Sequence, residues 1–457
     1  MQRLLAIVWL TWKAAFRFRL FWVLAALLVA SVILLPLLIR DDGTARGFTQ
    51  ILLTYTLAVI TALLGFATLW LSCGTLARDI EDCQMQMVAV KPIARWQIWL
   101  GKWLGIVTLD AVMLALSGAC VVGLLYWRAQ RLPEAEQQIL RNEVLVARGS
   151  CKEAPADIEG DVERILQERL KEAPANVNVN AVRDSLRQQV KAFTQAVQPG
   201  HPRRWEIDLG LRRYTLKDQP LFLRIKFYAS QTNASGTYVG FWVIGPTNSA
   251  VRPSHAQSLA AGTFHEFQIP ANLYDDKGVL TIDFINQNEA TLLFPLEDGL
   301  EVLYREGGFT SNFARGLAIL LCWLALLASL GLAASSLLSF PVAAFVSVSV
   351  LLIGFSSGTL TNAVDAGTIA GMNEESGVTG HSVLDLVFIP FFKVVLKVLN
   401  LVEGFSPIES LSTGRSIPWS VLGLAFAQVV LLLGGILAVT GMVIFTRREL
   451  AAAQGNS

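Results

Sequence analysis

The 457-residue sequence predicts a polytopic α-helical membrane protein with six transmembrane helices, N-in and C-in. One extracytoplasmic α+β insert interrupts it, a helical part followed by a jelly-roll-like antiparallel β-sandwich. Three observations lead there. Hydrophobic residues make up 53% and charged residues 16%, with a mean hydropathy of +0.49. That average joins unlike parts: residues 1–127 and 313–457 are apolar and sparsely charged, whereas 128–312 have the composition of a soluble protein. The basic residues of the short connections also fall on one side of a membrane if the chain crosses it six times.

Residues 2–18 place Arg3, Lys13 and Arg17 on one side of a helical wheel and Leu5, Val8, Trp12 and Phe16 roughly opposite. This describes a helix in the membrane interface, or a longer first span with snorkelling basic residues. It is not a signal peptide, because the following apolar run is long enough to span and no small-residue cleavage site follows it. Span one is Leu20–Ile39, span two Phe48–Leu76 and span three Trp103–Trp127. Span four is Phe313–Leu332, span five Pro341–Phe355 and span six Val421–Phe445.

Arg3, Lys13, Arg17 and Arg19 precede span one, Arg78, Lys91, Arg95 and Lys102 lie between spans two and three, and Arg447 and Arg448 follow span six. With six spans all three groups face the cytoplasm, and the insert lies outside. Its first half, 133–198, is rich in Glu, Arg, Gln and Ala and reads as amphipathic helices broken at Pro155 and Pro174. In the second half, 203–306, Leu221–Tyr228, Tyr238–Ile244, Thr263–Ile269 and Val279–Ile285 alternate or nearly so between Asn-, Gly-, Pro- and Asp-rich turns, the pattern of an antiparallel sandwich. The run Phe264–Asn286 resembles the closing strands of jelly-roll carbohydrate-binding modules, which implies a glycan site; a structural or partner-docking sandwich is the other reading. Between spans five and six, residues 384–402 carry Lys393, Lys397 and Asn400 as one polar stripe, interrupted by Pro390, which suits an amphipathic or re-entrant helix at the outer surface.

The five cysteines are scattered, with only Cys151 in the insert, so an intradomain disulfide there is impossible and a thiolate metal site is not expected. The four histidines show no metal-binding spacing, no G-x-S-x-G elbow occurs, and no basic tract suggests nucleic acid. There is no G-x-x-x-x-G-K-[ST], so the chain has no phosphate-cradling loop of its own. The sequence predicts neither a catalytic residue nor a cofactor. Asp110 lies inside span three. A carboxyl at that depth is a functional candidate, or a buried partner for a Ser, Thr or interfacial Arg.

The charged connection 78–102 holds Arg78-Asp79-Ile80-Glu81-Asp82, then Lys91-Pro92-Ile93-Ala94-Arg95, then Gly101-Lys102 at the start of a span. It resembles the cytoplasmic loop of ABC-2-type transporter permeases, the membrane subunits of ABC exporters. The interfacial N-terminal helix, the amphipathic segment before the last span and the Thr446-Arg447-Arg448-Glu449 ending are similar to that family as well. The large insert is similar to that of a bacterial subgroup, and Asp82-Cys83-Gln84 departs from the Gly-Thr pair usual after the second acidic residue.

The resemblance implies a non-enzymatic transport subunit in the bacterial inner membrane. It pairs with a second permease subunit, as a homo- or heterodimer, and binds a cytoplasmic ABC ATPase that carries the ATP and magnesium. Residues between Glu81 and Lys91 would form a helix in a groove of that ATPase. Arg78, Asp79, Glu81, Asp82, Lys91 and Arg95 would supply its charges, Met85, Met87 and Val88 its apolar contact, and Pro92 would end it. The rival expectation is a membrane-anchored scaffold whose sandwich binds a glycan or an extracytoplasmic protein partner.

Overall fold

The computed structural model describes residues 2–17, 19–38, 44–82, 93–172, 179–247, 252–366 and 384–448. Met85, Met87, Lys91 and Pro92, together with Cys83, Gln84, Pro174 and His381, lie outside the described residues. The chain is mostly helical and divides into two compact units, Met1–Ala147 with Gly307–Ser457, and Arg148–Glu306.

In the first unit the helices are α1 (Gln2–Arg17), α2 (Arg19–Leu38), α3 (Ala45–Glu81), α4 (Arg95–Ala129) and the short α5 (Glu134–Ile139), which runs into a π-helical turn at Leu140–Val144. After the second unit come α8 (Phe309–Leu337), α9 (Phe340–Phe355), α10 (Ser357–Ala366), α11 (Asp385–Glu403), α12 (Pro407–Ser412) and α13 (Trp419–Arg447), whose turns Phe426–Gly434 are π-helical. Four of these, α3, α4, α8 and α13, are long and apolar enough to cross a membrane. Residues Gln2–Arg17 and Phe21–Leu35, bent by 78° at their break, would together make a fifth, and α9 is a shorter apolar helix.

Several expectations need correction. The acidic motif is not loop: α3 continues through Arg78, Asp79 and Glu81, and Asp82 is its C-cap. Helix α4 begins at Arg95, so Trp96–Lys102 are helical too. Pro390 lies inside α11 without breaking it. At the sixth position of the helix, proline forfeits a bond only to a carbonyl in the first turn.

Helix α1 packs one face against α4. Ile7, Thr11 and Ala15, spaced by four, are buried on one face. Ile7 lies where a Cβ on Gly101 would come within 2.7 Å of its Cγ2, and Thr11 stands the same way to Gly105. The Gly101-x-x-x-Gly105 spacing therefore cuts a seat for α1 into α4. Trp12 Nε1 closes it, donating to Gly105 O and Thr108 Oγ1 at 3.1 Å each.

Helices α3 and α8 are joined more closely still. A Cβ on Gly331 would fall 1.9 Å from Ser72 Oγ, so only glycine lets them meet there. Ser335 and Ser336 of α8 are buried too, and Ser347 of α9 lies 3.5 Å from Cys73 Sγ of α3.

The second unit contains β1 (Val146–Cys151), α6 (Ile158–Glu172), α7 (Val179–Gln195), β2 (Ala196–Val197) and β3 (Pro202–Asp208). The strands β4 (Leu221–Ile225), β5 (Tyr228–Ala229), β6 (Thr237–Ile244), β7 (Ser254–Ala260), β8 (His265–Ile269), β9 (Val279–Asn286), β10 (Leu292–Leu293) and β11 (Leu300–Gly308) follow. One four-stranded sheet has the order β1-β11-β4-β8 and another β3-β9-β6-β7, with β2-β10-β5 as a small third. The alternating residues of both large sheets enter one core, where Trp205 stacks on Trp242 at 6.0 Å and Phe284 and Phe294 close around them.

The helical half of the insert holds strand β1, which sequence alone assigned to helix. Its Arg148 pairs with Glu266 at 2.8 Å, Arg224 pairs with Glu266 at 2.5 Å, and Arg224 reaches Glu301 at 3.3 Å. All four side chains are buried, so a ladder of alternating charges runs across the four strands of that sheet. Removing one member would strand its neighbours without compensation, which makes the ladder a specifier of strand order as much as a source of stability. Helices α6 and α7 pack against each other through Val162, Leu166 and Leu186, with Arg187–Glu159 and Arg183–Glu163 pairs outside.

Candidate functional site

The residues singled out around the charged connection come together at one end of the helical unit. Lys102, two turns into α4, is buried; its Nζ lies 2.5 Å from Asp79 Oδ2 and donates to Thr75 O at 2.8 Å. Lysine thereby fastens α4 to a carboxylate and a carbonyl in the last two turns of α3.

Arg95, the first residue of α4, does the same for α13. Its Nη1 donates to Phe445 O at 3.2 Å and to Thr446 O and Arg448 O at 2.8 Å, the last carbonyls of that helix. Arg448 reaches on to Ser336 O at 3.0 Å, in the last turn of α8. From α8 the chain turns at Ser339 into α9, and the first amide of α9, Phe340 N, donates to Glu81 Oε1 at 2.9 Å. That carboxylate sits at a helix N-terminus, again the favoured sign. Arg78 lies over the Phe340 ring at 4.4 Å, and Trp70 meets the same ring edge-on at 5.1 Å.

These contacts close on themselves. Helix α3 is tied to α4, α4 to α13, α13 to α8, α8 leads into α9, and α9 returns to α3. Each side-chain tie uses a charged group, a class of hydrogen bond that contributes about 1.5–3 kcal/mol. The two chain ends flanking residues 83–92 both belong to this ring, Glu81 on one side and Arg95 on the other. Asp82 is exposed and makes no side-chain tie among the described residues.

The opposite end of the unit is closed differently. Ala45 N donates to Glu136 Oε2 at 2.7 Å and Arg46 pairs with Glu143 at 2.7 Å. Asn312 brackets another connection, donating to Arg415 O at 2.8 Å and accepting from Ile417 N at 2.7 Å.

Asp110 stands apart from the ring. Its Oδ2 lies 2.9 Å from Thr68 Oγ1, joining α4 to α3 midway along their length, and both side chains are buried. Beside it a narrow cleft is lined by Phe21, Leu28, Leu64, Leu71 and Met113. Among the described residues no cation pairs with it.

Of the residues named from sequence, then, Arg78, Asp79, Glu81 and Arg95 meet at the ring, and Asp110 does not. Met85, Met87, Lys91 and Pro92 fall outside the described residues. Thr75, Ser336, Phe340 and Arg448 went unremarked as members because their partners are remote in sequence. The bias of basic residues in the short connections was the one signal that pointed to Lys102, Arg95 and Arg448. Among the described residues no cluster of His, Cys, Asp or Glu is arranged to hold a metal ion. No family model matches the chain, and no curated protein or solved structure matches it.

Proposed function

We propose that the chain is the membrane-embedded permease subunit of an ATP-driven exporter of the ABC-2 type, moved through residues 78–102 by a separate cytoplasmic ATPase. The observation that carries this reading is the closed ring of polar ties. A displacement of the 83–92 connection acts at once on α3 and α4, and through them on α13, α8 and α9, because packed helices shift as units and do not bend locally. A passive membrane anchor has no need for such a joint.

Further features support the fuller reading. Arg78, Arg95, Lys102 and Arg448 gather at one end of the helical unit, which agrees with that end being cytoplasmic. Helix α9 begins at that end, whereas Arg415 and Ile417 pack at the other, which favours counting α9 as a crossing and hence six spans, N-in and C-in. Two large sheets feeding one core favour a β-sandwich for the extracytoplasmic unit. On this reading the chain binds no cofactor, ATP and magnesium reside on the partner, and a second permease subunit completes the translocation path in a bacterial inner membrane.

The test is affinity purification of the full chain from its native membranes. A P-loop ATPase should accompany it, and Glu81→Lys or Pro92→Gly should abolish stimulation of ATP turnover while membrane insertion is retained. Purification without any such ATPase, or unchanged turnover in both variants, would overturn the proposal.

A further inference from the structure

The face of α1 turned away from its seat carries chemistry that the coupling ring does not use. Trp9, Lys13 and Arg17 follow one another at four-residue spacing and all are exposed, Trp9 at 61%. Lys13 Nζ lies over the Trp9 ring at 5.6 Å. Leu5, Leu10 and Phe16 are exposed beside them, and α1 contains no acidic residue. Among the described residues neither Lys13 nor Arg17 has a carboxylate partner. Lys102, Arg95 and Arg448, by contrast, each meet a carboxylate or a helix carbonyl.

The seat on α4 fixes the depth of this stripe. Ile7 rests on Gly101, beside the last charge of the ring, and Thr11 on Gly105, already in the apolar run that starts at Trp103. Trp12 bonds one turn further in, at Gly105 and Thr108. The two helices thus run in the same sense here, and the outward face of α1 passes from the charged end into the start of the apolar stretch. In a bilayer entered at that end, a tryptophan and leucines would meet acyl chains, while Lys13 and Arg17 would reach back toward headgroups.

We propose that the outer face of α1 binds the phosphate headgroup of an anionic phospholipid, with Lys13 and Arg17 as counter-charges and Trp9 at the headgroup boundary. The inference rests on the membrane-embedded reading above. It adds a consequence: since α1 is seated on the same helix turns that carry Lys102, lipid charge is held next to the coupling ring.

The experiment uses the purified full chain, delipidated in detergent and titrated with phosphatidylglycerol or with phosphatidylcholine of the same acyl chains, bound lipid being counted by native mass spectrometry. The wild-type chain should retain phosphatidylglycerol in preference. Lys13→Gln with Arg17→Gln should weaken that retention roughly 30-fold, as expected for losing two cations near an anionic surface. Lys13→Arg should keep it, and free inorganic phosphate should not displace it. Equal retention of the two lipids, displacement by phosphate, or undiminished binding in the double variant would each overturn the proposal. So would loss of binding in Lys393→Gln with Lys397→Gln instead, since that assigns the lipid to α11. No ATPase enters the assay, so a negative result leaves the permease reading standing, and a failure to co-purify an ATPase leaves the lipid site standing.

Discussion

Lys102 holds Asp79 and the backbone of Thr75 with one ammonium group, at 2.5 Å and 2.8 Å, so a single side chain fastens the last turns of α3 to the first turns of α4. The lysine is buried to the point of 8% side-chain exposure, whereas the aspartate keeps 30%. The two halves of the pair therefore differ in what their loss should cost.

Lys102→Met should be the milder change, because the carboxylate it strands is partly hydrated and Thr75 O keeps its bond within the helix. A loss of roughly 2–4 kcal/mol is expected, below the full value for a buried pair because Asp79 stays partly hydrated. Asp79→Asn should cost more, since it leaves a buried ammonium without its counter-charge. The reciprocal swap Lys102→Asp with Asp79→Lys should not restore stability, as aspartate offers Thr75 O no donor. Thermal unfolding of the four proteins in one detergent checks this, and a rescued swap would mean the carbonyl bond is immaterial.

Gly331→Ala should be poorly tolerated, for its new methyl would fall 1.9 Å from Ser72 Oγ. Overpacking of this kind costs about 1–3 kcal/mol. Combining it with Ser72→Gly should recover most of the loss, because the obstructing hydroxymethyl is then gone. A double-mutant cycle on the unfolding midpoint measures the coupling, and strict additivity of the two changes would contradict the close contact of α3 with α8.

Cys151, on β1, should be nearly inert toward maleimide in the folded protein. Burial pushes its thiol above the ordinary range, and the hydrogen bond from Arg212 only partly offsets that. Because the thiolate is the nucleophile and the raised pKa keeps the thiol neutral, labelling should stay slow at pH 7 to 8 and accelerate only on unfolding or at strongly alkaline pH. The same thiol in the denatured chain serves as the reactive reference, because Cys120, though exposed, lies on α4 within the apolar span. Labelling of Cys151 in the folded protein at its denatured rate would show that the strand is not packed as described.

Much of the architecture was legible because it is written in local pattern. Apolar runs marked α3, α4, α8 and α13, and alternation marked β4, β6 and β9, since burial on one face needs nothing beyond the strand's own residues. Strand β1 was not legible for the same reason: Val146-Ala-Arg-Gly-Ser-Cys151 lacks apolar alternation, and its Arg148 is made acceptable in the interior by Glu266, far along the chain. The proline in α11 misled because a local breaker was read without regard to its place near the helix start.

The ring of polar ties sits between these cases. Charge counting put Arg78, Arg95, Lys102 and Arg448 at one end of the molecule, and a motif-level likeness drew attention to Asp79 and Glu81. Neither could say which carbonyl each cation meets. Those partners are helix ends, and a helix end has no residue signature of its own when the capping group arrives from another helix.

The tie from Arg95 to the tail of α13 spans 350 residues of sequence, and that distance is also an interval in synthesis. When α4 leaves the ribosome its guanidinium has no carbonyls to hold, and it must wait until the final helix has been inserted. The joint that we propose receives the push of the ATPase therefore closes only after α13 has joined the other helices. A chain halted before Trp419 would carry the whole 78–102 connection and an unfinished ring, so the order of insertion sets when the joint can bear load.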